Sequence, residues 1–489
     1  MNRPIRTMAI GCLVLFLALM INATYLQYVA ADRLGDDPRN RRVVEAAFAR
    51  ERGAILVGRD PVAESVPSDG RFAHLRTYPE PLRYAHATGY FSFAYGHTGV
   101  ERSQNSILSG NDPRLFVARL VDLLGNSDPQ GGSVQLTLNR RAQNAAFDAL
   151  RALGSNTKGA AVAIEPATGR ILAMVSTPTF DPNRLASHDL GAAREAWAEY
   201  DGDAAEPLLN RAIQTRMPPG STFKLVTAAA ALESGTYADA QASVRGGRTF
   251  QLPQSSAVVG NHDGGNCGGD QITMTRAMQV SCNVTFLALA DELGTDAMRA
   301  QAEAFGFNGT TLEDLPLQAT SAFPSDLDAP QTAMSGIGQS SVSATPLQMA
   351  MVAAGIANSG IVMRPYVVDE VRTPDLDVLD KTEPRELSRA VSPRTAAELT
   401  SMLVATVDSG TATPARISGV QVAGKTGTAQ RGEGQLPIAW FVSFAPADNP
   451  QIAVAVMIED AGVQRSEIAG GRLAGPVARA IMEAVINVG

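Results

Sequence analysis

Lysine is scarce in this chain, which makes the few lysines informative. Only four of the 41 basic residues are lysine, and they lie at positions 158, 224, 381 and 425. A GC-rich genome accounts for an excess of arginine through codon usage, but not for the places where lysine remains. Arginine stays protonated in proteins, whereas burial can bring lysine to its neutral form. We therefore consider Lys224 and Lys425, which lie in short polar motifs, as candidate catalytic groups.

Histidine is also sparse, and the chain has no excess of positive charge. The net charge of −8 and a pI near 5.3, with no basic stripe, argue against a nucleic-acid partner. The histidines are scattered, and none has metal-ligand spacing to a cysteine or to another histidine. They are His74, His86, His97, His188 and His262. The sequence therefore predicts no metal site and no cofactor.

The N-terminus carries one long apolar run, at residues 8–29, preceded by Arg3 and Arg6. A run of ~20 apolar residues suits a helix that spans a membrane. A cleavable signal peptide is the alternative, because Val29-Ala30-Ala31 resembles a cleavage site. The run is longer than a usual signal core, which favours an anchor. We expect residues 1–7 in the cytoplasm, a single-pass helix in the cell membrane, and the remainder outside it.

The rest of the chain is long enough for two domains with their own cores, and it shows no internal repeat. Residues 32–156 mix strand-like and helical pieces without a dense catalytic cluster, which favours a structural or partner-binding domain. In residues 157–489, two apolar runs around a glycine-containing turn predict a β-hairpin. Three strands and a helix are predicted near the C-terminus, at 420–429, 439–445, 451–459 and 474–488. An antiparallel sheet built from both ends of this domain, with helices between, is a layered α/β arrangement.

The centre of the candidate site is the stretch 217–224, Met-Pro-Pro-Gly-Ser-Thr-Phe-Lys, followed by an alanine-rich run. Two prolines and a glycine cannot continue a helix, so the pattern predicts a helix that begins at Ser221 and stops at Gly235. Residues three apart lie on one helix face, which places Ser221 beside Lys224 at the positive end of the dipole. A serine beside a neutral lysine is an activated nucleophile.

Two further clusters follow in the chain. Ser281-Cys282-Asn283 comes after a predicted helix at 274–280. Lys425-Thr426-Gly427-Thr428 lies on a predicted strand, where glycine allows a ligand to approach the backbone closely. In this order the three clusters resemble the S-x-x-K, S-D-N and K-T-G motifs of serine penicillin-binding proteins and β-lactamases, with Cys282 in place of the aspartate. Helix-end capping is the alternative role for Ser281 and Asn283.

The resemblance covers essentially the whole chain and is to the class B penicillin-binding proteins. The N-terminal opening, with Asp-Pro-Arg-Asn at 37–40, is similar to the actinobacterial cell-division members of this class. Glycosyltransferase motifs of the bifunctional class A relatives are not visible in residues 32–156. The remaining matching stretches are Gly338-Gln339, Thr345-Pro346-Leu347-Gln348, Ala357-Asn358-Ser359-Gly360 and Gly410-Thr411-Ala412. The resemblance implies a transpeptidase fold with an antiparallel sheet flanked by helices, on an N-terminal pedestal or dimerisation-type domain.

It also implies a catalytic role for each of four residues. Ser221 would be the nucleophile, attacking the penultimate D-Ala carbonyl of a peptidoglycan stem peptide, and Lys224 would be its base. Ser281 would relay a proton to the leaving amine, and Asn283 would hydrogen-bond the substrate amide and Lys224.

The resemblance implies a substrate-binding role for the third cluster. Lys425, Thr426 and Thr428 would hold the D-Ala carboxylate beside Gly427, and Lys425 would keep Lys224 neutral by like-charge repulsion. Backbone N–H groups of Ser221 and Thr428 would form the oxyanion hole.

The implied partners are D-Ala-D-Ala stem peptides with an amine acceptor, β-lactam antibiotics, a membrane-embedded glycan polymerase and divisome proteins. One alternative is a hydrolase, either a D,D-carboxypeptidase or a β-lactamase. It needs a group that activates water for deacylation, and no convincing carboxylate motif for one is found. A second alternative is a catalytically silent scaffold or β-lactam sensor. Degraded motifs would favour it, whereas all three motifs here are intact.

The chain has only three cysteines. Cys12 lies in the predicted membrane segment, which leaves Cys267 and Cys282 as the one pair in an oxidising compartment. We expect a disulfide between them that braces the loop of Ser281 and Asn283, with two buried free thiols as the alternative.

Overall fold

The computed structural model describes residues 3–35, 45, 48–70, 72–116, 130–432 and 434–486. The Asp-Pro-Arg-Asn stretch at 37–40 and the last two residues of the predicted closing helix lie outside these ranges. The helices are α1 Arg3–Thr24, α2 Ala31–Gly35, α3 Pro81–Thr88, α4 Gly99–Ser103, α5 Asn105–Leu108, α6 Arg140–Ala152, α7 Pro182–Ala186, α8 Leu190–Gly202, α9 Lys224–Glu233, α10 Met274–Gln279, α11 Asn283–Ala304, α12 Ala329–Ser335, α13 Pro346–Ala357, α14 Pro393–Ser409 and α15 Gly470–Ile486.

The strands of the two large sheets are β1 Ile55–Val57, β2 Asp60–Pro67, β3 His74–Thr77, β6 Ser133–Leu136, β7 Lys158–Ile164, β8 Ile171–Thr177, β14 Val368–Arg372, β15 Val378–Lys381, β17 Ala423–Ala429, β18 Ile438–Ala445 and β19 Ile452–Asp460. The strands of the four small two-stranded sheets are β4 Phe91–Ser92, β5 Gly96–His97, β9 Ser243–Arg245, β10 Thr249–Gln251, β11 Val258–Gly260, β12 Gln271–Thr273, β13 Ile361–Met363 and β16 Glu386–Arg389.

The N-terminal helix fits the length of a membrane span. α1 continues without a break through a π-helical segment at Tyr25–Val29, giving 27 helical residues. Their mean hydropathy reaches 2.2 over the most apolar window, and none of that window is buried against the rest of the chain. By length and composition this helix could cross a membrane.

Residues 157–489 are built on a five-stranded sheet in the order β17-β18-β19-β7-β8, with every neighbouring pair antiparallel. This confirms the sheet predicted from both ends of residues 157–489. Strand β7 is buried along almost its whole length because its two faces serve different cores. Ala160 and Val162 belong to the larger core, whereas Ala161 and Ala163 belong to the core beneath α6 and α15.

The closing helix begins earlier than predicted, at Gly470 rather than Ala474. The two glycines at its start lie directly on the sheet. A Cβ at Gly470 would be 2.1 Å from the carbonyl oxygen of Trp440 and 2.4 Å from that of Gly427. The sequence pattern treats glycine as a helix breaker, but here tertiary packing requires it in the first turn.

A second sheet, of six strands, has the order β15-β14-β6-β1-β2-β3. Strands β1 and β6 are parallel, and the other pairs are antiparallel. Strands β14 and β15 come from residues 157–489, so this sheet joins the two predicted domains. Sequence distance could not reveal the pairing, because strand pairs are fixed by packing rather than by proximity along the chain.

Candidate active site

Ser221 lies in a tight 3₁₀ turn, Gly220–Phe223, that leads directly into α9. The regular α-helix therefore begins at Lys224, three residues after the predicted start at Ser221. In a 3₁₀ turn, side chains three residues apart are eclipsed, so the turn is compatible with the predicted alignment of Ser221 with Lys224. The far end agrees with the prediction, since α9 ends at Glu233 and Gly235 follows with a φ of +76°.

The serine turn is fastened to strands β17 and β18. Trp440 Nε1 donates to the carbonyl oxygen of Pro218 at 2.9 Å. Gly220 has a φ of +54°, and a Cβ there would meet the Thr428 carbonyl oxygen at 3.1 Å. A Cβ at Gly427 would lie 2.9 Å from Thr222 Cγ2. The two glycines therefore allow the K-T-G strand and the serine turn to lie in direct contact.

The Lys224 amine is fully buried and surrounded by acceptors. Its Nζ lies 2.8 Å from the Ser281 carbonyl oxygen, 2.8 Å from Asn283 Oδ1 and 3.2 Å from Ser281 Oγ. Burial, and secondly the charge of Lys425, lower the pKa of Lys224 well below its ordinary value. A neutral amine has two N–H bonds for the two carbonyl-type oxygens, and its lone pair is left to accept a proton from a hydroxyl.

Lys425 projects from β17 and is also fully buried. Its Nζ donates to Ser281 Oγ at 2.9 Å and to the Thr426 carbonyl oxygen at 2.9 Å. Burial lowers the pKa of Lys425 to about 7. The hydroxyl of Thr426 pairs with that of Thr411 at 2.7 Å, which brings the Gly-Thr-Ala stretch to the same strand.

Ser281 and Asn283 lie at the junction of α10 and α11, and the structure directs their polar side chains at the lysines. Ser281 has a φ of +58°, a conformation that costs a non-glycine residue of order 1–3 kcal/mol. The Ser281 hydroxyl contacts both lysine amines, and Asn283 accepts from one of them. Both side chains therefore contact the lysines in the structure, and the residue before α11 makes no side-chain cap.

The structure joins Cys267 and Cys282 in a disulfide, the pair expected from the sequence, with their Cα atoms 5.7 Å apart. Cys12 is a free cysteine on α1. Because Cys282 separates Ser281 from Asn283, the bond ties their junction to the glycine-rich segment that contains Cys267.

Two residues that position the site were missed by the sequence reasoning. Trp440 holds the serine turn, as described above, and Asn261 holds the start of α11. Asn261 Oδ1 accepts the backbone N–H groups of Asn283 and Val284 at 2.9 and 3.2 Å. No motif or periodicity marks either residue, since each acts on a segment far away in the sequence.

Two buried lysines, Ser281 and Asn283 are therefore in direct contact, and Ser221 lies three residues before Lys224 in the turn that packs on the K-T-G strand. This arrangement suits acyl transfer through a serine ester. Among the described residues, no cluster of histidine, cysteine, aspartate and glutamate could hold a metal ion.

Comparison with known proteins supports this chemistry. Residues 159–483 match the penicillin binding protein transpeptidase domain, and residues 52–134 match the penicillin binding protein A dimerisation domain. The chain is 45% identical to the peptidoglycan D,D-transpeptidase PbpA of Mycolicibacterium smegmatis, over 100% of both chains.

Two solved structures of penicillin-binding protein A from M. tuberculosis are also similar. The imipenem acyl-enzyme complex has a TM-score of 0.84 and 43% identity, covering 90% of this chain and 99% of that one. The penicillin G acyl-enzyme complex has a TM-score of 0.84 and 44% identity, covering 89% of this chain and 99% of that one.

Proposed function

The chain belongs to the penicillin-binding protein transpeptidases and is a peptidoglycan D,D-transpeptidase, and on this basis we propose that Ser221 is its nucleophile and Lys224 the general base. The observation that carries the proposal is the state of the Lys224 amine. It is fully buried, three residues after Ser221, with its pKa well below the ordinary value. A neutral amine can accept the serine proton, and an ammonium cannot.

Acylation begins with a stem peptide that ends in D-Ala-D-Ala. Lys224 Nζ accepts the hydroxyl proton as Ser221 Oγ attacks the penultimate D-Ala carbonyl. Backbone N–H groups of Ser221 and Thr428 stabilise the oxyanion, each worth ~3 kcal/mol. When the peptide C–N bond breaks, the proton passes from Lys224 through the Ser281 hydroxyl to the leaving D-Ala nitrogen. The 3.2 Å contact between Lys224 Nζ and Ser281 Oγ supports this route.

The terminal carboxylate is bound by the K-T-G strand. Lys425 supplies the positive charge, and the Thr426 and Thr428 hydroxyls supply hydrogen bonds. Gly427 lacks a side chain, so the strand that carries these groups lies directly against the serine turn. Asn283 hydrogen-bonds the peptide amide of the donor through its side chain. This placement fixes the penultimate carbonyl near Ser221 Oγ.

Deacylation transfers the donor to an amine on a neighbouring strand. The amine attacks the ester carbonyl, Lys224 accepts the proton that the amine loses, and Ser221 regains a proton as its C–O bond breaks. A β-lactam follows only the first half of this cycle. Attack opens the lactam ring, and the nitrogen that leaves stays tethered to the acyl group, so the ester on Ser221 persists.

The experiment compares labelling of the parent and Ser221→Ala with a fluorescent penicillin. We expect a covalent label on the parent and none on the variant; equal labelling would refute the assignment of Ser221. Turnover of a D-Ala-D-Ala donor is then measured with and without an amine acceptor. Transfer to the amine is the expected result. Release of free acid alone would indicate a carboxypeptidase, and no turnover would indicate a silent scaffold.

We further propose that the helix over residues 8–29 stays attached as a single-pass anchor, with residues 1–7 in the cytoplasm. Arg3 and Arg6 at its start support this orientation, because positive flanks stay inside. The catalytic domain, residues 157–489, would then lie outside the cytoplasm. N-terminal sequencing of membrane-extracted protein tests the anchor, and a mature N-terminus at Ala31 or Asp32 would contradict it.

Residues 32–156 are proposed as a pedestal that binds a membrane-embedded glycan polymerase and other divisome proteins. Phe116, on this part of the chain, is 62% exposed and offers an apolar contact. A photo-crosslinking amino acid at Phe116 in the full-length chain should capture a multi-spanning membrane enzyme in living cells. Capture of soluble proteins alone would argue against that partner.

A further inference from the structure

A glycine-rich segment crosses the start of α11, and Asn261 is its central contact. The Asn261 side chain makes four hydrogen bonds. Its Oδ1 accepts from the backbone N–H groups of Asn283 and Val284, at 2.9 and 3.2 Å. Its Nδ2 donates to the carbonyl oxygens of Gly247 and Gly265, at 2.8 and 2.7 Å. The full capacity of a planar amide, two acceptor sites and two donors, is therefore used.

The first N–H groups of a helix have no partner within the helix, so their acceptor decides where the helix starts. For α11 that acceptor is Asn261, since Cys282, the residue before the helix, makes no side-chain cap. The same segment also holds the Asn283 side chain. Asn283 Nδ2 donates to the Gly260 carbonyl oxygen at 3.0 Å, which leaves Asn283 Oδ1 directed at Lys224 Nζ, 2.8 Å away.

We propose that Asn261 is a positioning residue for the transpeptidase reaction, holding Asn283 in the orientation in which its side chain receives the Lys224 amine. The inference rests on the proposed role of Lys224 as base. Asn261 fixes the backbone of Asn283 at the start of α11, and the neighbouring Gly260 carbonyl holds the Nδ2 end of its carboxamide, so the Oδ1 end stays directed at Lys224. The Cys267–Cys282 bond fastens the same segment at a separate point.

The first test is a double-mutant cycle. Asn261→Ala should lower the second-order rate of acylation by a fluorescent penicillin about tenfold or more, because small displacements of catalytic groups carry losses of this size. In an Asn283→Ala background the same change should cost less than about twofold, since the group through which Asn261 acts is already gone. If the rate losses of the two single variants multiply in the double variant, the two residues act independently and the proposal is overturned.

Asn183→Ala is the matched control. Asn183 also bridges backbone groups of another segment, accepting from the Tyr78 N–H at 2.8 Å and donating to the Tyr78 carbonyl oxygen at 3.0 Å. The Asn183→Ala variant should have a lower melting temperature, but its folded protein should not lose acylation to a comparable extent. If Asn183→Ala and Asn261→Ala reduce acylation equally, Asn261 is only a stability residue and the proposal fails.

The pH profile gives a readout that loss of stability does not move. Asn283 Oδ1 accepts from Lys224 and so favours its protonated form. Lys425 is the other charged group whose field acts on Lys224. Loss of the Asn283 contact should therefore move the acid limb of the acylation profile to lower pH, equally in Asn261→Ala and Asn283→Ala. If the acid limb of the acylation profile shifts in Asn283→Ala but not in Asn261→Ala, the proposal is overturned.

The measurements distinguish failure of the role of Asn261 from failure of the role of Ser221. If the parent is labelled, Ser221→Ala is not, and the two losses in the double-mutant cycle are independent, only the proposed role of Asn261 is refuted. Labelling that survives Ser221→Ala would remove the proposed nucleophile itself. If Asn261→Ala does not accumulate, Asn261→Ser supplies the same cycle, because serine keeps one acceptor and one donor.

Discussion

Lys224 and Lys425 contact the same hydroxyl: their Nζ atoms lie 3.2 and 2.9 Å from Ser281 Oγ. Both amines are fully buried, so two adjacent positive charges there would be costly. Burial lowers the pKa of Lys425 to about 7, and burial, followed by the charge of Lys425, lowers the pKa of Lys224 well below its ordinary value. This asymmetry fits the proposed roles, in which Lys224 is the proton acceptor, Lys425 the cation and Ser281 the relay between them.

Lys224→Arg separates a fixed charge from a base. Arginine keeps the charge but has no neutral form at physiological pH, because its pKa is above ~12. We expect the folded variant to be acylated by penicillin nearly as poorly as Ser221→Ala. The measurement is the second-order acylation rate, with melting temperatures to show that the variant is folded.

The control is Lys381→Arg, which changes a lysine that is 55% exposed and paired with Glu370 at the surface. It should match the parent. Lys224→Ala belongs in the same series, because the guanidinium is bulkier than the amine. Acylation of a stably folded Lys224→Arg within about tenfold of the parent, or ~1.4 kcal/mol of barrier, would show that Lys224 is not the base.

Lys425→Ala should weaken acylation by carboxylate-bearing substrates and β-lactams, because it removes the cation proposed to face the carboxylate. Lys425→Arg should retain more activity, since charge alone serves part of that role. With a pKa of about 7, Lys425 loses its charge as the pH rises, so the second-order rate of the parent should fall on the alkaline side. That alkaline limb should be absent from Lys425→Arg. Equal losses in both variants would instead indicate a geometric or acid–base role.

Removal of the disulfide should destabilise the catalytic domain. Cys267 and Cys282 are 15 residues apart, and a loop of that size contributes roughly 3 kcal/mol in the chain-entropy model. Cys267→Ala should therefore lower the free energy of unfolding by about this amount and slow acylation through the loop of Ser281 and Asn283. Alkylation of the unfolded, unreduced ectodomain should find no free thiol. Two alkylated thiols would disprove the bond.

Glu101 should be a stability centre of the N-terminal part. It is fully buried and bonded to Arg52 at 2.6 Å and to Arg76 at 2.7 Å. Burial opposes its ionisation, but the two guanidiniums outweigh burial and lower the pKa of Glu101. Glu101 therefore makes its full contribution to the free energy of unfolding at a pH above the pKa that it has in the unfolded chain. This contribution is lost as the pH falls through the lower pKa that Glu101 has in the folded protein. Glu101→Gln should cost about 3–5 kcal/mol, because it leaves buried cations uncompensated.

The matched control is Glu483→Gln, which removes a half-exposed partner of Arg479 on α15. Surface pairs of this kind contribute about 0.5 kcal/mol or less. Urea unfolding of both variants at neutral and acidic pH provides the comparison. A Glu101→Gln protein as stable as Glu483→Gln would show that the buried cluster is not a stability centre.

The local features of this protein follow from its sequence. Three such features are the Pro-Pro-Gly stretch, which prevents a helix from starting before Ser221, the apolar runs of β7 and β8, and the apolar N-terminal helix. Each depends on neighbours within a few residues. Backbone sterics and hydrophobic periodicity act over that range, so these elements were predicted to within a few residues. The order of the three motifs also indicated the chemistry.

Tertiary structure alone decided how the distant parts meet. Strands β14 and β15 join the N-terminal sheet. Gly470 starts α15 because the backbone of the sheet lies against it. Asn261 caps α11 from a different segment of the chain. Each depends on contacts between residues far apart in the sequence. The low pKa of Lys224 has the same origin, because it requires complete removal of the amine from water beside a second lysine. The sequence indicates which residues can titrate, but only packing decides how far each is desolvated.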